Sequence, residues 1–99
     1  MKNFLENLGL CKKAGALEIG FDAAVEAAAK GRASGILTAS DISEKTLKEV
    51  NFHARKHKAE VLQLPARMAE LKAVIGKSAG VIAVTDEGLL SLFKNKDIQ

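Results

Sequence analysis

The chain has no tryptophan and no tyrosine, and among its 99 residues only four phenylalanines, one cysteine and one proline. Each shortage excludes something. With Cys11 alone there is no intrachain disulfide and no cysteine-based metal cage, and Cys11 itself reads as a small apolar group on a helix face. With so few aromatics the core has to be assembled from Leu, Ile, Val and Ala, which suit close packing of helices on a sheet. No apolar run, such as residues 80–84, approaches the ~20 residues that a bilayer span requires. Lys2 near the N-terminus is followed by neither an apolar run nor a small-residue cleavage site, so no signal peptide is expected, and a cytoplasmic location follows by default. Charge of one sign is also scarce. Fifteen Lys and Arg against twelve Asp and Glu leave a formal net charge of +3. That permits a polyanionic partner without demanding one.

What is present is an ordinary globular composition, 47% hydrophobic and 27% charged, which excludes disorder. The length suits one domain over residues 1–99. Phe4, Leu5, Leu8 and Cys11 recur at helical spacing, predicting a helix over 2–13 that stops at Gly15. A short strand over 17–19 and Gly20 lead into an alanine-rich helix over about 22–30, ended by Gly31. Further strands are expected over 34–39, 60–64 and 81–84. A helix over 43–57 buries Leu47, Val50 and Ala54. A fourth helix, with Met68, Leu71, Val74 and Ile75 inward, follows Pro65 and ends at Gly76. A last helix is expected to be capped by Thr85, with Asp86 and Glu87 acidic in its first turn. Five helices alternating with four short strands imply a sheet between helix layers.

Several chemical motifs fail. Gly76-Lys77-Ser78 imitates the tail of a phosphate-binding loop, but Leu71 stands where the motif needs glycine. The tripeptide also follows a helix and precedes a strand, the reverse of the required order. His53 and His57 have metal-ligand spacing but no third ligand, and Arg55, Lys56 and Lys58 would repel a cation, so a solvated basic helix end is the simpler reading. The run from Arg55 to Lys58 also suits the helix dipole there. Asp41 and Asp86 are each explained as helix caps. Nothing supports catalysis, a cofactor, a metal or a small-molecule substrate.

One constellation succeeds. Leu8-Gly9-Leu10-Cys11-Lys12-Lys13-Ala14-Gly15 leads to Gly20, and an alanine-rich helix ends at Lys30-Gly31. Ile36-Leu37-Thr38-Ala39-Ser40-Asp41 ends a strand with Ala-x-Asp. Leu71-Lys72-Ala73-Val74-Ile75-Gly76-Lys77-Ser78-Ala79-Gly80 leads to Val81-Ile82-Ala83-Val84-Thr85-Asp86. In order and spacing, over about residues 2–94, this resembles the kink-turn RNA-binding family of ribosomal proteins named for L-seven-Ae and L-thirty-e, in particular its small bacterial YlxQ-like members. The resemblance implies a three-layer α/β/α sandwich with a four-stranded mixed sheet. It also implies binding to kink-turns, sharply bent RNA duplexes with tandem sheared G·A pairs. Three parts would face RNA: the turn at Gly20 with the helix that follows, the loop at Ser40-Asp41, and the loop Lys77-Ser78-Ala79 over an unstacked nucleotide. Lys12, Lys13, Lys30, Arg32 and Lys77 are the candidate phosphate contacts.

The family pattern after the first glycine is x-Asn-Glu-x-x-Lys, the Asn and Glu reading guanines and the Lys lying close to the RNA. Here those positions hold Asp22, Ala23 and Glu26. Asp22 cannot donate as an amide does, Ala23 has no acceptor, and Glu26 turns an anion toward a polyanion. At ~1–3 kcal/mol per base contact, the absence of two costs ~2–6 kcal/mol, enough to take a nanomolar site to micromolar. The expectation is a non-catalytic, ribosome-associated protein that binds structured RNA with weak or altered kink-turn selectivity. The alternative is a protein-interaction module on the same fold, with an eroded RNA site and Phe52 off the apolar face of its helix as part of a partner patch.

Overall fold

The computed structural model describes residues 4–94. The elements alternate as expected: α1 (Phe4–Lys13), β1 (Leu17–Ile19), α2 (Phe21–Ala29), β2 (Gly35–Thr38), α3 (Glu44–Lys56), β3 (Glu60–Gln63), α4 (Met68–Ile75), β4 (Val81–Val84) and α5 (Glu87–Lys94). The expected start of the first helix at residue 2 lies outside the described residues. The strands form one sheet in the order β1-β4-β2-β3. β4 is antiparallel to both β1 and β2, and β3 is parallel to β2, so the sheet is mixed.

Strand alternation divides the interior in two. Leu37, Ile82 and Val84 point to one face, where they meet Leu8 and Cys11 of α1, Leu71 and Ile75 of α4, and Leu90 and Phe93 of α5. Ile36, Val81 and Ala83 point to the other, against Ala24, Ala27 and Ala28 of α2 and Val50 and Ala54 of α3. Both faces are covered, so every residue of β2 and β4 is buried, and these strands read as continuous apolar runs. The result is the expected three-layer α/β/α sandwich. Alanine on α2 lets that helix approach the sheet closely. Gly31 and Gly76 adopt positive φ where α2 and α4 end, the conformation that closes a helix most cheaply with glycine.

Two helix starts and the role of one cap differ from expectation. Pro65 does not begin α4. Ala66 is buried, and its carbonyl accepts the Ser40 N–H at 2.8 Å, so the chain docks on the β2–α3 loop before it can coil. α4 starts at Met68, whose N–H donates to Asp41 Oδ1 at 2.9 Å. Asp41 therefore caps α4 across the fold, while Ser43 Oγ caps α3 by accepting the Thr46 N–H at 3.1 Å. Thr85 does not cap α5. Its N–H is committed to the Ala16 carbonyl at 2.9 Å, and the cap is Asp86, as also expected, whose Oδ1 takes the Leu89 N–H at 2.9 Å.

Candidate functional site

Sheet order places three distant loops together. Thr38 at the end of β2 lies opposite Val81 at the start of β4, so the segment leaving β2 and the segment entering β4 share one end of the sheet. β1 ends at Ile19, opposite Ile82, and the Gly20 N–H then donates to the Val81 carbonyl at 2.8 Å. The three segments border an open cleft of about 280 Å³. Gly20 and Phe21 form one wall. Asp41, Ile42, Ser43 and Thr46 form another with Met68, and Ser78, Ala79, Gly80 and Val81 form the third.

The local chemistry explains the shape. Gly20 is the residue before α2, at φ 110° and ψ 157°, and it has no side chain with which to cap the helix. The first amides of α2 are thus left without a side-chain acceptor, at an end that carries partial positive charge. Gly80 is small for a different reason: a Cβ there would collide with Ile42 Cγ2 and press on Met68. The Asp41 carboxylate ties the β2–α3 segment to α4, so the two parts of that wall are held together by one hydrogen bond.

The residues expected at the site fall into two groups. Gly20, Asp41, Ser78 and Ala79 line the cleft, and Lys77 adjoins it, exposed. Ala79 is buried in the core cluster that includes residues of α1, α4 and α5, where it anchors its loop. Asp22 is exposed in the first turn of α2, and Glu26 lies exposed one turn further on. Lys12 stays near the third loop, its Nζ beside Gly76 at the C-terminus of α4. The others are not brought there. Lys13 lies in a separate depression with Glu6, Asn7, Gly9 and Leu10. Lys30 and Arg32 follow the far end of α2, some ~14 Å along the helix from Gly20. Both are paired: Lys30 with Glu26 at 2.9 Å, and Arg32 with Glu18 at 2.8 Å. The hydrogen bond and charge of Lys30 hold the Glu26 carboxyl below its ordinary value.

Sequence reasoning missed Phe21, Ile42, Ser43, Thr46, Met68, Gly80 and Val81 as cleft residues. Phe21 carried one signal, an aromatic next to the turn glycine in a chain with few aromatics. Met68 carried none, because its place depends on the hydrogen bond from Asp41. Among the described residues, no group of three or more His, Cys, Asp or Glu side chains is placed to hold a metal ion. No helix among them is long and apolar enough to cross a membrane. His53 makes edge-on contacts to Phe21, at 6.1 Å between ring centroids, and to Phe52, at 5.2 Å.

No family model matches the chain. RNA-binding protein YlxQ of Bacillus subtilis (strain 168) is 33% identical over 94 residues, covering 90% of this chain and 85% of that protein. The chain belongs to the L-seven-Ae-like family. A solved structure of a protein of unknown function from Bacillus halodurans C is similar over 96% of this chain and 100% of that one, with a TM-score of 0.83 and 27% identity. Within the L-seven-Ae-like fold of this chain, Asp22, Ala23 and Glu26 all belong to the helix that begins at the cleft, and Asp22 and Glu26 are exposed.

Proposed function

We propose that this protein is a non-catalytic RNA-binding protein of the bacterial YlxQ-like subgroup, acting as one domain on structured RNA in the cytoplasm. Its expected setting is ribosomal RNA or another RNA with a kinked or bulged element. The observation that carries this reading is the convergence of the Gly20, Asp41 and Ser78 segments on one open cleft. Proteins read RNA where bends and bulges expose bases, because the deep major groove of A-form duplex excludes side chains. Uncapped amides at the start of α2 suit a phosphate or a base acceptor at the cleft's edge. The named activity of the YlxQ relative supports the same partner class. Among the described residues the cleft has one ionisable lining side chain, Asp41, and its Oδ1 is engaged in capping α4.

Selectivity for kink-turns is weak or altered in this reading. Asp22 and Glu26 face solvent beside the RNA path, and Lys30 is drawn onto Glu26. Titration of the protein with a kink-turn RNA and with a matched duplex lacking the G·A pairs tests the reading. Wild type is expected to bind both weakly, with a difference below about tenfold. The triple variant Asp22→Asn, Ala23→Glu, Glu26→Lys is expected to gain kink-turn selectivity worth ~2–6 kcal/mol. Tight, selective binding by wild type would show that the three departures do not weaken the site. No binding to either RNA at low salt would remove the RNA reading itself.

A further inference from the structure

The formal charge of this chain is distributed very unevenly. Residues 44–58, which contain α3 and its C-terminal cap, hold five Lys and Arg against two Glu, a net +3. The ten Lys and Arg elsewhere are matched by ten Asp and Glu, so this one segment accounts for the entire net charge of +3. At 3.6 residues per turn, Lys45, Lys48, Phe52, Arg55 and Lys56 fall within an arc of about 100° on α3, opposite the buried Val50 and Ala54. All five are exposed, Phe52 by 62%. Glu44 and Glu49 lie at the two edges of the arc. The ion pairs among the described residues join Lys30 to Glu26, Arg32 to Glu18, and Lys94 to Glu60 and Glu87. None uses a cation of the α3 arc.

This basic face with an aromatic at its centre is continuous with the cleft. Phe21 lines the cleft, His53 meets Phe21 edge-on, and Phe52 meets His53 edge-on. Three of the few rings in the chain thus run from the cleft wall to the outer face of α3. We infer that this face is a second RNA-contact surface: Lys45, Lys48, Arg55 and Lys56 track the phosphodiester backbone, and Phe52 stacks on an unpaired base of the same RNA. The inference rests on the RNA reading above and deepens it. The cations at the end of α2 are already neutralised by carboxylates, whereas those on α3 remain available to displace counterions. Aromatic rings set among unpaired cations form a sequence-tolerant platform for single-stranded nucleotides, and RNA supplies both the charge and the rings that such a face complements.

The test measures affinity for a kink-turn RNA with a three-nucleotide bulge over a range of salt. It compares wild type, a quadruple variant (Lys45→Gln, Lys48→Gln, Arg55→Gln, Lys56→Gln), Phe52→Leu and Phe52→Tyr. Thermal unfolding of each variant confirms folding, as expected for exposed positions. The quadruple variant should flatten the slope of log K against log salt by about 3, at ~0.7–0.9 for each phosphate no longer neutralised. Phe52→Leu keeps the apolar surface but not the ring, and should weaken affinity about 5- to 150-fold, while Phe52→Tyr retains it. The chain has no tryptophan, so Phe52→Trp places a unique reporter whose fluorescence should be quenched by a stacked base. Wild-type binding with unchanged affinity and slope in the quadruple and Phe52→Leu variants would overturn this surface and leave the cleft reading intact, with the face free for a protein partner. A flattened slope with Phe52→Leu unaffected would overturn the stacking role. Failure of wild type to bind any RNA would overturn both readings.

Discussion

Gly20 and Gly80 border the same cleft and are glycines for opposite reasons. At Gly20 a Cβ would meet nothing within 4 Å, but φ 110° with ψ 157° lies in a region essentially reserved for glycine. At Gly80 it is the missing Cβ that lets Ile42 and Met68 close in. Gly20→Ala should therefore destabilise the protein by about 1–3 kcal/mol, seen as a lower urea midpoint at unchanged m-value. A cost below ~0.5 kcal/mol would mean that the turn relaxes freely. Cys11 illustrates a different local effect. Burial pushes its thiol pKa up, with the nearby Asp86 carboxylate adding to the rise and a backbone hydrogen bond opposing it. Folding thus favours the neutral thiol. The contribution to stability is present below the ordinary thiol pKa and is lost as pH climbs through the raised folded value. At about pH 8 the native thiol should react with a disulfide reagent at least roughly tenfold more slowly than in urea, and equal rates would contradict this placement.

At the scale of elements, interiors were legible in the sequence, as were the starts of α2 and α3, while the starts of α4 and α5 were not. The 3–4 residue recurrence of Leu8 and Cys11, or of Leu71 and Ile75, records burial against one neighbour, and those helices lie where the pattern put them. Helix starts depend on hydrogen bonds that arrive from elsewhere. Asp41 sits two residues before Ser43 and reads as a local cap, yet its carboxylate serves Met68, 27 residues away. Pro65 reads as a first helical residue, yet the docking of Ala66 on Ser40 delays α4. Asp41→Ala should cost ~0.5–2 kcal/mol and loosen α4, while Asp41→Asn, which keeps the acceptor, should cost a few tenths. Hydrogen exchange at the α4 amides distinguishes the two variants. Equal protection in wild type and Asp41→Ala would contradict the cap.

At the scale of the molecule, the alternation of helices and strands announced the layers, but it could not order the strands. The cleft exists because β4 lies between β1 and β2, which brings residues 20, 41 and 78 to one end of the sheet. No local pattern encodes that order. The resemblance anticipated that three loops share one face, and it did so for the loops better than for the cations. Lys30 is claimed by Glu26, its local i, i+4 partner, and Arg32 by Glu18, a partner that appears only when the chain folds. The outward-facing charge on α3 and the position of Phe52 off its apolar face were legible in the sequence, but the link of that face to Phe21 through His53 required the structure.

On the reading proposed above, RNA sits in the cleft. Amide chemical-shift mapping of the ¹⁵N-labelled protein, titrated with a bulged kink-turn RNA at low salt, tests it most directly. Perturbations are expected at residues 20–23, 41–46 and 77–81 together. Shifts confined to surfaces remote from all three segments, or no shifts at saturating RNA, would contradict it.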